Sequence, residues 1–148
     1  VNRSTALTLL GLVACVLGCA ERAAREIRAS DLREASEAIQ LNIAAIQRHD
    51  VEAYLAQYLD SPDLIVVTPD SLRRGYLFFA EARRASDQWP DTLIAADPTT
   101  VWIAPGVVWG AFAYASVVGL DTIRGVSERL VVKTNQGWKI AITGAMER

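Results

Sequence analysis

The sequence predicts an α+β domain, helices first and an antiparallel sheet after them, on three observations. Apolar residues recur at helical spacing through the first half of the chain. Runs rich in Val, Ile, Thr and Trp, separated by turn residues, fill the second half. The two kinds of segment do not alternate, which sets the chain apart from parallel α/β architectures. At 148 residues there is length for one core and not for two.

The first segment is read apart from the domain. Arg3 is followed by a charge-free run, Ser4 to Ala20, of 17 residues dominated by Ala, Leu and Val. A spanning helix needs roughly 20 apolar residues, so the run suits the hydrophobic part of an export signal. It ends in Val16-Leu17-Gly18-Cys19 before Glu21-Arg22, which resembles the lipobox of bacterial lipoproteins. The resemblance implies cleavage after Gly18, acylation of Cys19 and attachment to a membrane through it. Leu12-Val13-Ala14-Cys15 fits the same pattern and keeps Cys15 as the alternative; cleavage there would leave an apolar remnant. A plain secretory signal or an uncleaved anchor helix also remains open. An opening Val in place of Met fits a non-AUG start codon, and with it a bacterial gene.

The expected organisation is thus a lipoprotein signal at 1–18, a tether at 19–30 and a domain at 31–148. The expected location is the bacterial cell envelope, facing the periplasm or exterior. Both cysteines fall in or next to the signal, so the domain has no disulfide, thiol nucleophile or thiolate metal site. Beyond position 19 the chain keeps 14 of its 15 basic residues against 17 acidic ones, a net charge of −3. No basic run is present, which argues against a nucleic-acid partner.

Within the domain, Asp31-Leu32-Arg33-Glu34 reads as a capping box. Leu32, Ala35, Ile39, Ile43 and Ile46 then form one apolar stripe of a helix ending near His49. Asp50 reads as a new N-cap for a short helix that turns Val51, Tyr54, Leu55, Tyr58 and Leu59 inward. Ser61-Pro62-Asp63 breaks it. Leu64 to Thr68 is a β-branched strand, turned at Pro69-Asp70-Ser71. Gly75 precedes a third helix from Tyr76 to about Ser86, with Tyr76, Phe79 and Ala80 on one side, and Trp89-Pro90-Asp91 ends it. Thr92 to Ile103 is a strand interrupted at Asp97-Pro98. Ala104-Pro105-Gly106 turns into a strand from Val107 to Val118. A looser connection is expected from Gly119 to Thr122, then a strand from Gly125 to Thr134. Asn135-Gln136-Gly137 is a hairpin loop returning through Trp138 to Ala145.

Four of these features together resemble the nuclear transport factor 2-like superfamily, in particular its SnoaL-like and calmodulin-kinase-association-type domains. They are the short helix Asp50 to Tyr58 leading into a strand, the glycine in Arg73-Arg74-Gly75-Tyr76, the strand Ser127 to Lys133, and the ending Gly137-Trp138-Lys139-Ile140. The resemblance covers about Leu32 to the C-terminus. It implies a cystatin-like cone, helices packed on a curved sheet, with a pocket at the open end and often a dimer through the sheet face.

Enzymes of that superfamily use Asp, His or Tyr inside the cone, and a carboxylate desolvated there can take a proton from carbon. Here the single histidine, His49, falls in an interhelix turn, where a solvated or capping role is expected. The weak acid candidates are Asp97, beside Pro98, and Glu128. Alternation puts Glu128 and Arg129 on opposite faces of their strand, and Arg129 is a further candidate ligand contact, with a cross-strand ion pair as the plainer role. Tyr54, Tyr58, Tyr76 and Tyr114 are candidate ligand contacts or hydroxyl donors, and Trp89, Trp102 and Trp109 candidate pocket walls, with packing as the plainer role of each. Trp138 is expected to be structural. Neither a cofactor nor a metal site is expected.

Three functions remain open on the sequence. The first is a non-catalytic binding or accessory module with a small apolar ligand. The second is an isomerase, dehydratase or cyclase using a buried carboxylate and a tyrosine. The third is a homodimerising interaction module with a filled cone.

Overall fold

A computed structural model describes residues 3–147, and of residues 3–20 only the backbone. The expected lipid sites Cys19 and Cys15 therefore have side chains outside the described part. By internal contacts the chain falls into two units, residues 1–30 and residues 31–148. In the first, helical backbone carries the exposed ion pairs Glu21–Arg25 and Arg22–Glu26, each four residues apart. Among the described residues no helix is long and apolar enough to cross a membrane.

Helix α1 spans Arg3–Gln47, so Asp31 is not its N-cap. The alanines and the charge pairs of residues 21–30 favour helix, and nothing there stops it. The acid at Asp31 still serves a free backbone amide, but that of Gly106 at 2.9 Å, far along the chain. The expected stripe holds: Ala35, Ile39 and Ile43 are buried, joined by Ala38, Asn42 and Ala45. Full burial of one such isoleucine contributes about 1.5–3 kcal/mol. Asp50 caps α2 (Val51–Leu55), its carboxylate accepting from the Ala53 amide at 3.0 Å. The third helix, α3, covers Tyr76–Ala85 and buries Ala80.

Among the described residues, seven strands form one sheet: β1 (Ile65–Thr68), β2 (Ser71–Arg74), β3 (Thr92–Ala95), β4 (Thr99–Ala104), β5 (Val107–Val118), β6 (Asp121–Thr134) and β7 (Gly137–Glu147). Their order is β2-β1-β7-β6-β5-β3, with β4 paired to the other end of β5. Strand β2 was not expected from the sequence; its Leu-Arg-Arg run lacks an apolar alternation, yet it pairs with β1 at the sheet edge. The expected loose connection after Gly119 is instead a tight hairpin, with Val118 opposite Asp121. Gly119 there has φ of +60°, which suits glycine at the first central position of such a turn. The sheet is mixed rather than wholly antiparallel, because β1 runs parallel to β7.

The sheet is curved and unclosed, and its inner face packs on the helices. One cluster joins Ala35, Ile39 and Ile43 of α1 to Val108, Phe112, Val131 and Trp138. At Gly110 the sheet comes so close to α1 that an added Cβ would lie 2.4 Å from the Ile39 Cδ1. A second cluster joins Tyr58, Leu64 and Ile140, with Tyr54, Tyr76 and Phe79 against it.

Candidate functional site

The strand pairing decides which side chains face the helices. Gly110, Arg129 and Thr143 stand opposite one another across β5, β6 and β7, and the next row is Phe112, Ser127 and Ala145. Arg129 is 5% exposed, in the same row set as the buried Val131 and Ser127. Its neighbour Glu128 therefore projects from the other face, beside Trp109 and Leu130. The expected split of this pair holds, and the arginine is the inner member.

Arg129 spends one end of its guanidinium on the sheet. Its Nη1 donates to the Ser127 Oγ at 2.6 Å, the Glu128 carbonyl at 2.9 Å and, more weakly, the Gly144 carbonyl at 3.4 Å. Its Nη2 reaches only the Asn42 Oδ1, at 3.5 Å, and Nε has no partner. The Phe112 ring centre lies 5.4 Å from the guanidinium carbon. Among the described residues no carboxylate pairs with this cation.

Around the same interior stands an aromatic group from α2, α3 and the segment after it. Tyr58 donates to the Tyr54 hydroxyl at 2.7 Å, the two lying one helical turn apart. Burial pushes the Tyr54 phenol well above its usual range, with the Tyr58 hydroxyl adding and Arg129 opposing. Phe79 packs on Tyr58 at 4.6 Å between ring centres, and Trp89 meets Tyr54 edge-on at 5.7 Å. Arg83 lies over the Trp89 ring at 4.0 Å. It donates to the Ser86 and Gln88 carbonyls, and its Nε is buried without a partner. His49 stacks on Trp89, its Nε2 2.8 Å from the Pro90 carbonyl, so it braces that wall in a turn at φ of +55°.

The sequence candidates thus part company. Tyr54, Tyr58, Trp89 and Arg129 come together. Tyr76 sits at the start of α3 against the second cluster, its phenol raised by burial and then by Asp60. Tyr114 packs over Gly125 at the far end of the inner face, its phenol raised by burial and then by Glu147. Trp102 donates to Asp31 at 3.3 Å and Trp138 to Glu34 at 3.0 Å, both tying the sheet to α1. Trp102 and Trp109 flank the same turn but point to opposite faces, Trp109 outward. Asp97 is exposed in the link between β3 and β4, and Glu128 is half-buried on the outer face, with no ion pair among the described residues. The only buried acid described is Asp31, whose oxygens serve Gly106, Trp102 and Lys133.

Sequence reasoning missed Asn42, Ser127 and Arg83. Asn42 had a signal, a polar residue between Ile39 and Ile43 on the apolar stripe. Among the described residues no three His, Cys, Asp or Glu side chains gather as a metal site would need. Among the described residues, the interior presents hydrogen-bond donors and aromatic faces, and its one buried carboxylate is that of Asp31.

No protein-family model matches the chain, and no curated protein is significantly similar to it. Solved structures do match. An NTF-2 like protein of unknown function from Shewanella oneidensis is 18% identical with a TM-score of 0.65, covering 74% of this chain and 93% of its own. A cystatin-like fold protein from Burkholderia xenovorans is 13% identical with a TM-score of 0.69, covering 80% and 92%. A ketosteroid isomerase-like protein from Erwinia carotovora atroseptica is 18% identical with a TM-score of 0.67, covering 79% and 95%. At such identities the likeness is one of architecture: the chain has the nuclear transport factor 2-like form of the cystatin-like fold.

Proposed function

We propose that the domain is a non-catalytic binding module which holds a small molecule in the interior of its cone. One observation carries this reading: among the described residues the interior gathers aromatic faces and N–H donors, and no acid beyond Asp31. Asp97 and Glu128 lie outside it and Asp31 is engaged elsewhere. Proton abstraction, the chemistry of an isomerase or dehydratase of this fold, has no base there. The aromatic faces of Tyr54, Phe79 and Trp89 suit a small apolar ligand.

The test uses the full chain in detergent. Small aromatic and aliphatic compounds are titrated while the Trp89 indole signal is followed, and α-proton exchange of enolisable ketones is measured alongside. Binding shifts without faster exchange are expected. Accelerated exchange that is lost in Tyr54→Phe would instead establish an enzyme.

The N-terminal segment adds a location to this proposal: an envelope lipoprotein anchored through Cys19. Cys19→Ala then abolishes lipid labelling in a bacterial host. Undiminished labelling moves the anchor to Cys15, and an unlabelled wild type removes it.

A second reading concerns the outer sheet face. Trp109, Leu130, Ile142 and Val67 line a groove of about 720 Å³ there. A second copy of the chain is the occupant proposed, giving a homodimer through the sheet.

A further inference from the structure

We infer, resting on the binding reading above, that the ligand is a small organic carboxylate seated between α3 and the β1–β2 hairpin, its anionic head on Arg73. A cavity of about 260 Å³ lies there, walled by Val66 and Thr68 of β1, Arg73 of β2, and Phe78, Phe79 and Ala82 of α3. The strand pairing explains its make-up. Arg73 stands directly opposite Val66, so both project to the side that packs against α3. Phe78 and Ala82, one helical turn apart, complete the wall with Phe79 between them. Phe79 also packs on Tyr58, which joins the cavity to the aromatic group of the interior.

Charge selects the head group. Strand β2 and helix α3 carry four arginines, and three are committed. Arg74 pairs with Asp63 at 2.6 Å, Arg84 with Glu52 at 2.8 Å, and Arg83 donates to the Ser86 and Gln88 carbonyls. Among the described residues Arg73 has neither an ion pair nor a hydrogen bond. Its guanidinium carbon lies 5.2 Å from the centre of the Phe78 ring, which holds the cation at the cavity without consuming its N–H donors. The other polar wall, Thr68, spends its hydroxyl on Ser71 at 2.7 Å, and no acid lines the space. One free cation balances one negative charge, and the paired N–H groups of a guanidinium match the two oxygens of a carboxylate. A dianionic phosphate would call for a second cation. Val66, Phe78 and Phe79 receive the carbon body, which covers a Phe78 ring otherwise 50% exposed. The volume falls below that of sites for drug-sized molecules, so the body is a short chain or a single ring.

Titration calorimetry at pH 7 on the full chain in detergent compares phenylacetate with its neutral amide, phenylacetamide. The acid is expected to bind roughly fivefold more tightly, the modest gain of an ion pair at an exposed rim. Arg73→Gln brings the two affinities together and leaves that of the amide unchanged. Ala82→Trp fills the cavity and excludes both probes. Both positions are exposed, so neither variant disturbs the core. Equal affinities in the wild type, or a preference that survives Arg73→Gln, overturn the carboxylate and leave the binding reading standing. Undiminished binding to Ala82→Trp overturns the place. If neither probe binds, this site falls alone; if the wider set of aromatic and aliphatic compounds also leaves the Trp89 signal unmoved, the binding reading falls with it.

Discussion

Asp31 and Asn42 illustrate what a single residue reveals in the sequence and what it hides. Asp31 was legible as an acid that serves a free backbone amide, because Asp followed three places on by Glu has that chemistry. Its partner was not legible, since Gly106 meets it only once the sheet has folded against α1. The same helix turn carries Glu34, which accepts from both the Trp138 indole and Lys133. Asp31→Ala strips the Gly106 amide of its acceptor and removes one from Trp102. We expect a loss of about 1–3 kcal/mol, with Asp31→Asn losing less because an amide oxygen still accepts. Urea unfolding measures both, and an alanine variant as stable as the wild type would show that the latch is ornamental. Asn42 carries the opposite lesson. Its position inside the apolar stripe was visible, but its meaning depends on Arg129, a strand and 87 residues away.

At the scale of elements, periodicity carried as far as length allowed. The stripe of α1 and the alternation of β6 were long enough to read, and the opposite facing of Glu128 and Arg129 followed from them. Which of the two faced the helices did not follow, because shifting the register by one residue exchanges the faces. Helix α2, with five residues, is too short for periodicity, and only its Asp50 cap and the four-residue spacing of Tyr54 and Tyr58, the second beyond its end, announced it. Those tyrosines yield a pH prediction. Burial raises the phenols of Tyr54, Tyr76 and Tyr114 above their ordinary range near 10. The folded protein then keeps protons that the unfolded chain has already released. Stability is therefore intact below about pH 10 and declines as pH climbs further. Absorbance at 295 nm should show these phenols ionising later in the folded chain than in urea, and Tyr54→Phe should flatten the alkaline loss of stability. Coincident titration in the two states would contradict the burial of the Tyr54 hydroxyl.

For the domain as a whole, the α+β class followed from local patterns, while strand β2 and the parallel β1–β7 pairing did not. That pairing joins Ile65 to Ile142 across most of the domain, and no local signal encodes it. It has a consequence for the outer face, because it brings Val67 alongside Gly144, next to the row of Trp109, Leu130 and Ile142. Antiparallel sheets with one face in water normally show polar residues there, and a contiguous apolar row marks an interaction surface. Leu130 sits in the middle of that row, flanked on its strand by Arg129 facing inward and by Val131 in the core. Leu130→Asp places a charge at the centre of the proposed homodimer, near Glu128 of its own chain, without touching the inner face. Light scattering should give a dimer for the wild type and a monomer for Leu130→Asp, with unchanged circular dichroism and unchanged ligand affinity. A monomeric wild type, or a dimer that survives the aspartate, would assign the apolar row to some other partner. Ligand affinity that fell with dimerisation would instead mean that the cone is completed only in the pair.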